Sequence, residues 1–213
     1  MLKKISTITL TILLLGFFTG SIQSQNPQAK SEWIPLFDGQ SLDGWQVGQH
    51  PETFSVEDGK IVAHGKKAHL FYTGPVENHS FDNFEFKADV MTTEGSNSGI
   101  YFLTQYQEKG WPSKGYEAQV NNSYDKDPRR TGSLYGIDDV KKTVVNDNSW
   151  FTLRIKVEGR HITISVDGKQ LVDYMQPKDA TQQERFLESG TFALQGHDPD
   201  SKVYFKNIKV RPL

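Results

Sequence analysis

The sequence predicts an all-β domain, an antiparallel β-sandwich, and three observations carry that expectation. Apolar and polar residues alternate with period two in segment after segment, the pattern of strands with one buried face. Asp58-Gly59 and Asp167-Gly168 join neighbouring alternating segments, and Asp-Gly between strands is a strong hairpin signal. Helical periodicity is nearly absent, with only "DATQQERFLES" (179–189) suited to a short helix. Many short strands separated by turns bury their apolar faces best as two sheets packed face to face.

The chain of 213 residues opens with a segment outside that pattern. Lys3 and Lys4 precede an apolar run from Ile5 to Phe18, and polar residues follow, as in a secretory signal peptide. The run is shorter than the ~20 residues that cross a bilayer, so no stable membrane insertion is expected. Residues 1–24 are read as the signal peptide, cut between Ser21 and Ser24, 25–32 as a polar tether and 33–213 as one domain. N-terminal sequencing of the mature protein is expected to begin in that window, and a sequence starting at Met1 overturns the assignment. About 190 residues suit one substantial core. No cysteine is present, which excludes disulfides, thiolate metal sites, a cysteine nucleophile and a lipidated cysteine. The net charge is −2 and no basic run is longer than a doublet such as Lys66-Lys67, Arg129-Arg130 or Lys141-Lys142. A nucleic-acid partner would need a larger basic patch.

The strands follow in order. "FSVEDGKIVAHG" (54–65) reads as a hairpin, followed by "FEFKADV" (84–90), "SGIYFLTQY" (98–106) and "GYEAQV" (115–120). "WFTLRIKVEG" (150–159) alternates cleanly, "HITISV" (161–166) and "DGKQLVDY" (167–174) continue it, and "GTFALQ" (190–195) and "KVYFKNIKV" (202–210) close the set. Alternation in "GYEAQVNN" sends Tyr116, Ala118 and Val120 one way and Glu117, Gln119 and Asn121 the other. Gln and Asn are poor strand formers, so this row, with Gln195 and His197 at the end of a second strand, suggests a hydrogen-bonding groove. Sugars need such a surface together with aromatic faces, for which Tyr101, Trp111, Tyr116 and Tyr135 are candidates. A solvated strand face is the competing reading. His197 follows a glycine at a strand end, where function concentrates, and histidine is a proton-exchanging type near neutral pH.

Glycoside hydrolysis usually needs two flanking carboxylates. This strand offers only Glu117, with Gln119 and Asn121 where a second acid would stand. Asp125, Asp127, Asp198 and Asp200 lie in expected loops, where aspartate near Pro and Gly is usually a turn former, though such residues also bind hard cations. No metal site and no cofactor are assigned.

"PLFDGQSLDGW" (35–45), "GSNSGIYF" (95–102), "GYEAQVNN" (115–122), "TGSLYG" (131–136) and "GTFALQGHDPDSKVYFKNIKV" (190–210) together resemble the 3-keto-disaccharide hydrolase family, in order along the whole domain. The resemblance implies a concanavalin A-like jelly-roll sandwich of lectin/glucanase type, two curved antiparallel sheets with a saccharide site on the concave face. It also implies cleavage of glycosides oxidised to a ketone at sugar C3. In that setting Glu117 is expected as base or substrate anchor and His197 as its acid–base partner. Asn97 and Gln119 would be hydroxyl or oxyanion ligands, with Tyr101, Trp111, Asn121, Tyr135 and Gln195 completing the substrate surface. One departure is that Asn121 and Asn122 stand where the family strand often carries acids. A non-catalytic carbohydrate-binding module, a conventional glycosidase and a structural envelope domain are the rival readings.

Overall fold

The alternating segments pair into two antiparallel sheets in the computed structural model, which describes residues 32–179 and 185–213. Its strands are β1 (Ile34–Pro35), β2 (Trp45–Val47), β3 (Phe54–Glu57), β4 (Lys60–His64), β5 (Ala68–Tyr72), β6 (Phe84–Thr92), β7 (Asn97–Thr104), β8 (Tyr116–Asn121), β9 (Phe151–Glu158), β10 (His161–Val166), β11 (Lys169–Met175), β12 (Thr191–Gly196) and β13 (Lys202–Pro212). The larger sheet runs β11-β10-β9-β6-β13-β4-β3, with β1 also paired to β13; the smaller runs β2-β5-β12-β7-β8. The signal peptide and nearly all of the tether lie outside the described residues. Among the described residues no helix is long and apolar enough to cross a membrane.

Both expected Asp-Gly hairpins form, and Asp58 and Asp167 take the left-handed conformation that such turns require. The expected helix over 179–189 falls partly on residues 180–184, outside the described residues, and 185–189 are not helical. One central strand escaped the pattern. The stretch "AHLFY" of β5 is buried at all five positions, because loops cover the outer face of the small sheet. A strand buried on both sides shows no alternation.

Between the sheets, Phe192 packs at 4.6 Å from Phe86 and 4.9 Å from Phe84, ring centre to ring centre. Ile100, Phe102, Leu153, Ile155, Leu194 and Val210 join them, all fully buried. Burying such side chains stabilises by about 1.5–3 kcal/mol each, and that fixes which face of each strand points outward. On the small sheet the outward set is Asn97, Gly99 and Tyr101 of β7, Glu117, Gln119 and Asn121 of β8, Ala193 and Gln195 of β12, and His69 and Phe71 of β5.

Two features shape this face. Between Tyr101 and Thr104, β7 carries one more residue than the opposing stretch of β12, and Leu103 adopts a left-handed backbone (φ 50°). That bulge twists β7 beside Tyr101, as bulges near functional sites do. The free edge of β8 is covered by residues 131–135. Thr131, Gly132 and Tyr135 donate backbone N–H groups to Asn121, Gln119 and Glu117, and the Gln119 N–H donates to Ser133. Leu134 enters the core, so alternation sends Tyr135 to the outer face beside Glu117.

Candidate functional site

The outward rows of β7, β8 and β12 form the floor of a cavity of about 280 Å³. Asn97, Tyr101, Trp111, Glu117, Gln119, Tyr135, Gln195 and His197 all line it. The volume lies just under the roughly 300–1,000 Å³ of ligand pockets.

Glu117 is the buried acid of the floor. Gln195 donates from Nε2 to its Oε1 at 2.8 Å and to the Tyr101 hydroxyl oxygen at 3.3 Å, while the Tyr101 hydroxyl is hydrogen-bonded to the carboxylate. Burial pushes the carboxyl up to about 7, against the lowering effect of those two donors. Burial, with the Glu117 charge second, also pushes the Tyr101 phenol up, so it stays a donor. A carboxyl poised near neutrality is a strong base that is still partly protonated, a state that suits proton transfer.

On another wall stands His197, just beyond β12. Its Nδ1 is 2.6 Å from Asp198 Oδ2, while Asp198 Oδ1 accepts the backbone N–H groups of Asp200 at 3.0 Å and Ser201 at 2.9 Å. Burial opposes ionisation of Asp198, but the hydrogen bonds from His197 and Ser201 outweigh it and hold the carboxyl below its ordinary range. A fixed carboxylate on Nδ1 selects the tautomer that leaves Nε2 available. The ring is held by Trp111 at 5.5 Å and by Tyr124, edge-on, at 5.4 Å.

Gln119 donates to Asn97 Oδ1 at 3.1 Å, which fixes the Asn97 amide with its nitrogen as donor. Trp111 is 44 % exposed and forms the rim, as a platform for the apolar face of a ring would. Behind it lies His69, which the pattern did not reveal. Burial, then Lys67 and His197, depress this imidazole to about 3, so it serves as a neutral aromatic wall against Tyr101 and Trp111.

Two sequence expectations change. Asn121 shares the row but does not line the cavity. Its Nδ2 points at the carbonyls of Tyr124, Asp127 and Arg129 at 3.2, 3.0 and 2.9 Å, and its Oδ1 accepts from the Tyr124 N–H and from Arg130. A fully buried amide with every atom occupied folds the 122–130 loop rather than binding a ligand. Tyr116 packs its ring into the core, as alternation places it, with its hydroxyl accepting from Gln176, and it also borders the cavity. Asp127, by contrast, is no mere turn former. It lines the cavity, accepts the Arg129 backbone N–H at 2.9 Å and its guanidinium at 3.3 Å, and is hydrogen-bonded to the Tyr135 hydroxyl. Arg129 in turn lies 4.4 Å above the Tyr135 ring. Loop aspartates carry no periodic signal, so only the path of the loop distinguishes Asp127 from its neighbours. Among the described residues no group of three or more acidic or histidine side chains is placed to hold a metal ion.

Comparison with known proteins agrees with this architecture. Two Parabacteroides distasonis proteins, each a candidate glycosyl hydrolase, superpose with TM-scores of 0.71 and 0.66 at 23% and 26% identity. They cover 85% of this chain in both cases and 94% and 100% of their own. A Bacillus subtilis carbohydrate-binding module shares the fold at 15% identity and TM-score 0.58, over 79% of this chain and 95% of its own. A 3-keto-disaccharide hydrolase of Bacteroides thetaiotaomicron is 31% identical over 88 residues, which is 38% of this chain and 30% of that relative. Residues 32–211 match the 3-keto-alpha-glucoside-1,2-lyase-like domain, and the chain is a member of that carbohydrate-active family.

Proposed function

We propose that this protein, after export, cleaves the glycosidic bond of 3-keto-glycosides by elimination followed by hydration. The observation that carries the reading is a single buried carboxyl poised near neutrality in the same small cavity as an Asp-held histidine. A ketone at C3 acidifies the hydrogen at C2. Glu117 removes that proton, the electron pair forms the enolate, and the charge rests on the C3 oxygen. The enolate re-forms the ketone as the C1–O bond breaks, and His197, carrying a proton on Nε2 while its Nδ1–H is held by Asp198, gives that proton to the departing oxygen. Water then adds to C1 of the resulting enone while C2 regains a proton, giving the free 3-keto sugar. The Asn97 amide nitrogen, on the cavity lining, is assigned as donor to the enolate oxygen or an adjacent hydroxyl, and such donors commonly contribute more than the proton transfer itself. The 1,2-lyase chemistry in the family's description corresponds to the elimination step.

Asp127 keeps a conventional two-carboxylate glycosidase in view, because it places a second acid on the cavity. Incubation with a 3-keto glucoside and with its unoxidised parent separates the two, following release of the aglycone. Release from the keto compound alone is the expected result. Equal release from both points to the conventional glycosidase, and binding without release from either points to a carbohydrate-binding module.

A further inference from the structure

The geometry points to Gly99 as the positioning residue of the site: the missing side chain at this place in β7 is the slot in which the Glu117 carboxyl lies. A methyl group at Gly99 would overlap Glu117 Oε1 and stand 2.8 Å from its Cδ and 2.9 Å from its Cγ. Carbon atoms in ordinary contact stay about 3.5–4.0 Å apart, so the two groups exclude each other.

The backbone gives no other reason for a glycine here. Gly99 is absent from the left-handed positions of the chain, and it pairs in register with Gln119 inside a regular stretch of ladder. Glycine inside a strand weakens it and often marks a site where another group must approach the backbone closely. The group that approaches is the acid of the candidate site. Seated in the slot, the carboxyl is reached by Tyr101 from β7 and Gln195 from β12. Asp127 and Arg129, on the loop after β8, act on it by charge, and Tyr135 lies beside it. A side chain at position 99 lifts the carboxyl off the sheet, away from its two donors and toward the open cavity. The first effect is loss of position, since a displacement of about 1 Å can cost 10²-fold in rate. The second is rehydration, which relaxes the acid toward its ordinary titration.

The catalytic consequence rests on the function proposed above, but the seating itself does not, and the test separates them. The Glu117 carboxyl is followed by isotope-edited infrared titration in the wild type and in Gly99→Ala, beside kinetics on a 3-keto glucoside. The expected result is a titration midpoint lowered toward 4.5 in the variant, with kcat down about 10²-fold or more and KM changed far less. Thermal unfolding completes a double-mutant cycle. Gly99→Ala is expected to destabilise the wild type and to be neutral or stabilising in a Glu117→Ala background, where nothing occupies the slot. That arm still reports if Gly99→Ala alone folds poorly. An unchanged midpoint, or an equal stability cost in both backgrounds, overturns the role of Gly99. A shifted midpoint with wild-type kinetics leaves the seating intact and overturns the catalytic role of Glu117 instead.

Discussion

Glu117→Gln is expected to lower kcat on a 3-keto glucoside by about 10²–10⁴-fold, the range that general base catalysis supplies, with KM within a few-fold of wild type. The substitution keeps the size of the side chain and leaves an oxygen to accept from Gln195, so packing is nearly undisturbed. In the wild type, kcat/KM should fall as pH drops through about 7, because the base is the ionised form and burial places its titration there. Stability should move the opposite way. A carboxyl raised from 4.5 to about 7 favours the folded state while protonated, so its contribution is full below pH 4.5 and is lost as pH rises through 7. The difference corresponds to about 3 kcal/mol. Glu117→Gln should therefore match wild type in stability near pH 4.5 and exceed it at pH 8, by at most that amount. Denaturant titrations at the two pH values measure this. A variant with unchanged kinetics and no pH-dependent gain would make Glu117 an ordinary strand residue.

His197→Ala is expected to reduce kcat by a similar ~10²–10⁴-fold, with the loss greatest for substrates whose leaving group is a poor one. A leaving oxygen of low basicity departs without a proton, so a nitrophenyl aglycone should be much less affected than a sugar. The loop device behind His197 has its own signature. Asp198→Asn keeps the ring but removes the carboxylate from Nδ1, so the protonated ring that acts as the acid loses its counter-charge. A smaller loss is expected there, on the order of 10-fold, with the same leaving-group dependence. A uniform loss across all leaving groups would assign His197 to substrate binding rather than to acid catalysis.

The small sheet owes its polar floor to an alternation visible in the chain itself. Glu117, Gln119 and Gln195 could be placed on one surface because Tyr116, Ala118, Val120 and Leu194 had to be in the core. The hairpins at Asp58 and Asp167 were equally legible, since their left-handed turns demand particular residues. Local rules of this kind act over two to four residues, so a sequence read residue by residue exposes them. The strand β5 was hidden for a related reason: where both faces are buried, the periodic signal cancels.

What the sequence by itself determined was the sandwich and the outward rows, because period-two burial is a property of neighbours along the chain. Tertiary structure alone decided which members of those rows meet a ligand. Asn121 and Gln119 are two residues apart on the same face, yet one folds a loop and the other lines the cavity. Asp127 became part of the site because Asn121 and the β8 edge steer its loop back over the sheet. The acidity of Glu117 and the room for it at Gly99 come from β7 and β12, brought alongside β8 only by strand pairing. Burial and close approach depend on what crosses from other strands, and no local pattern records that.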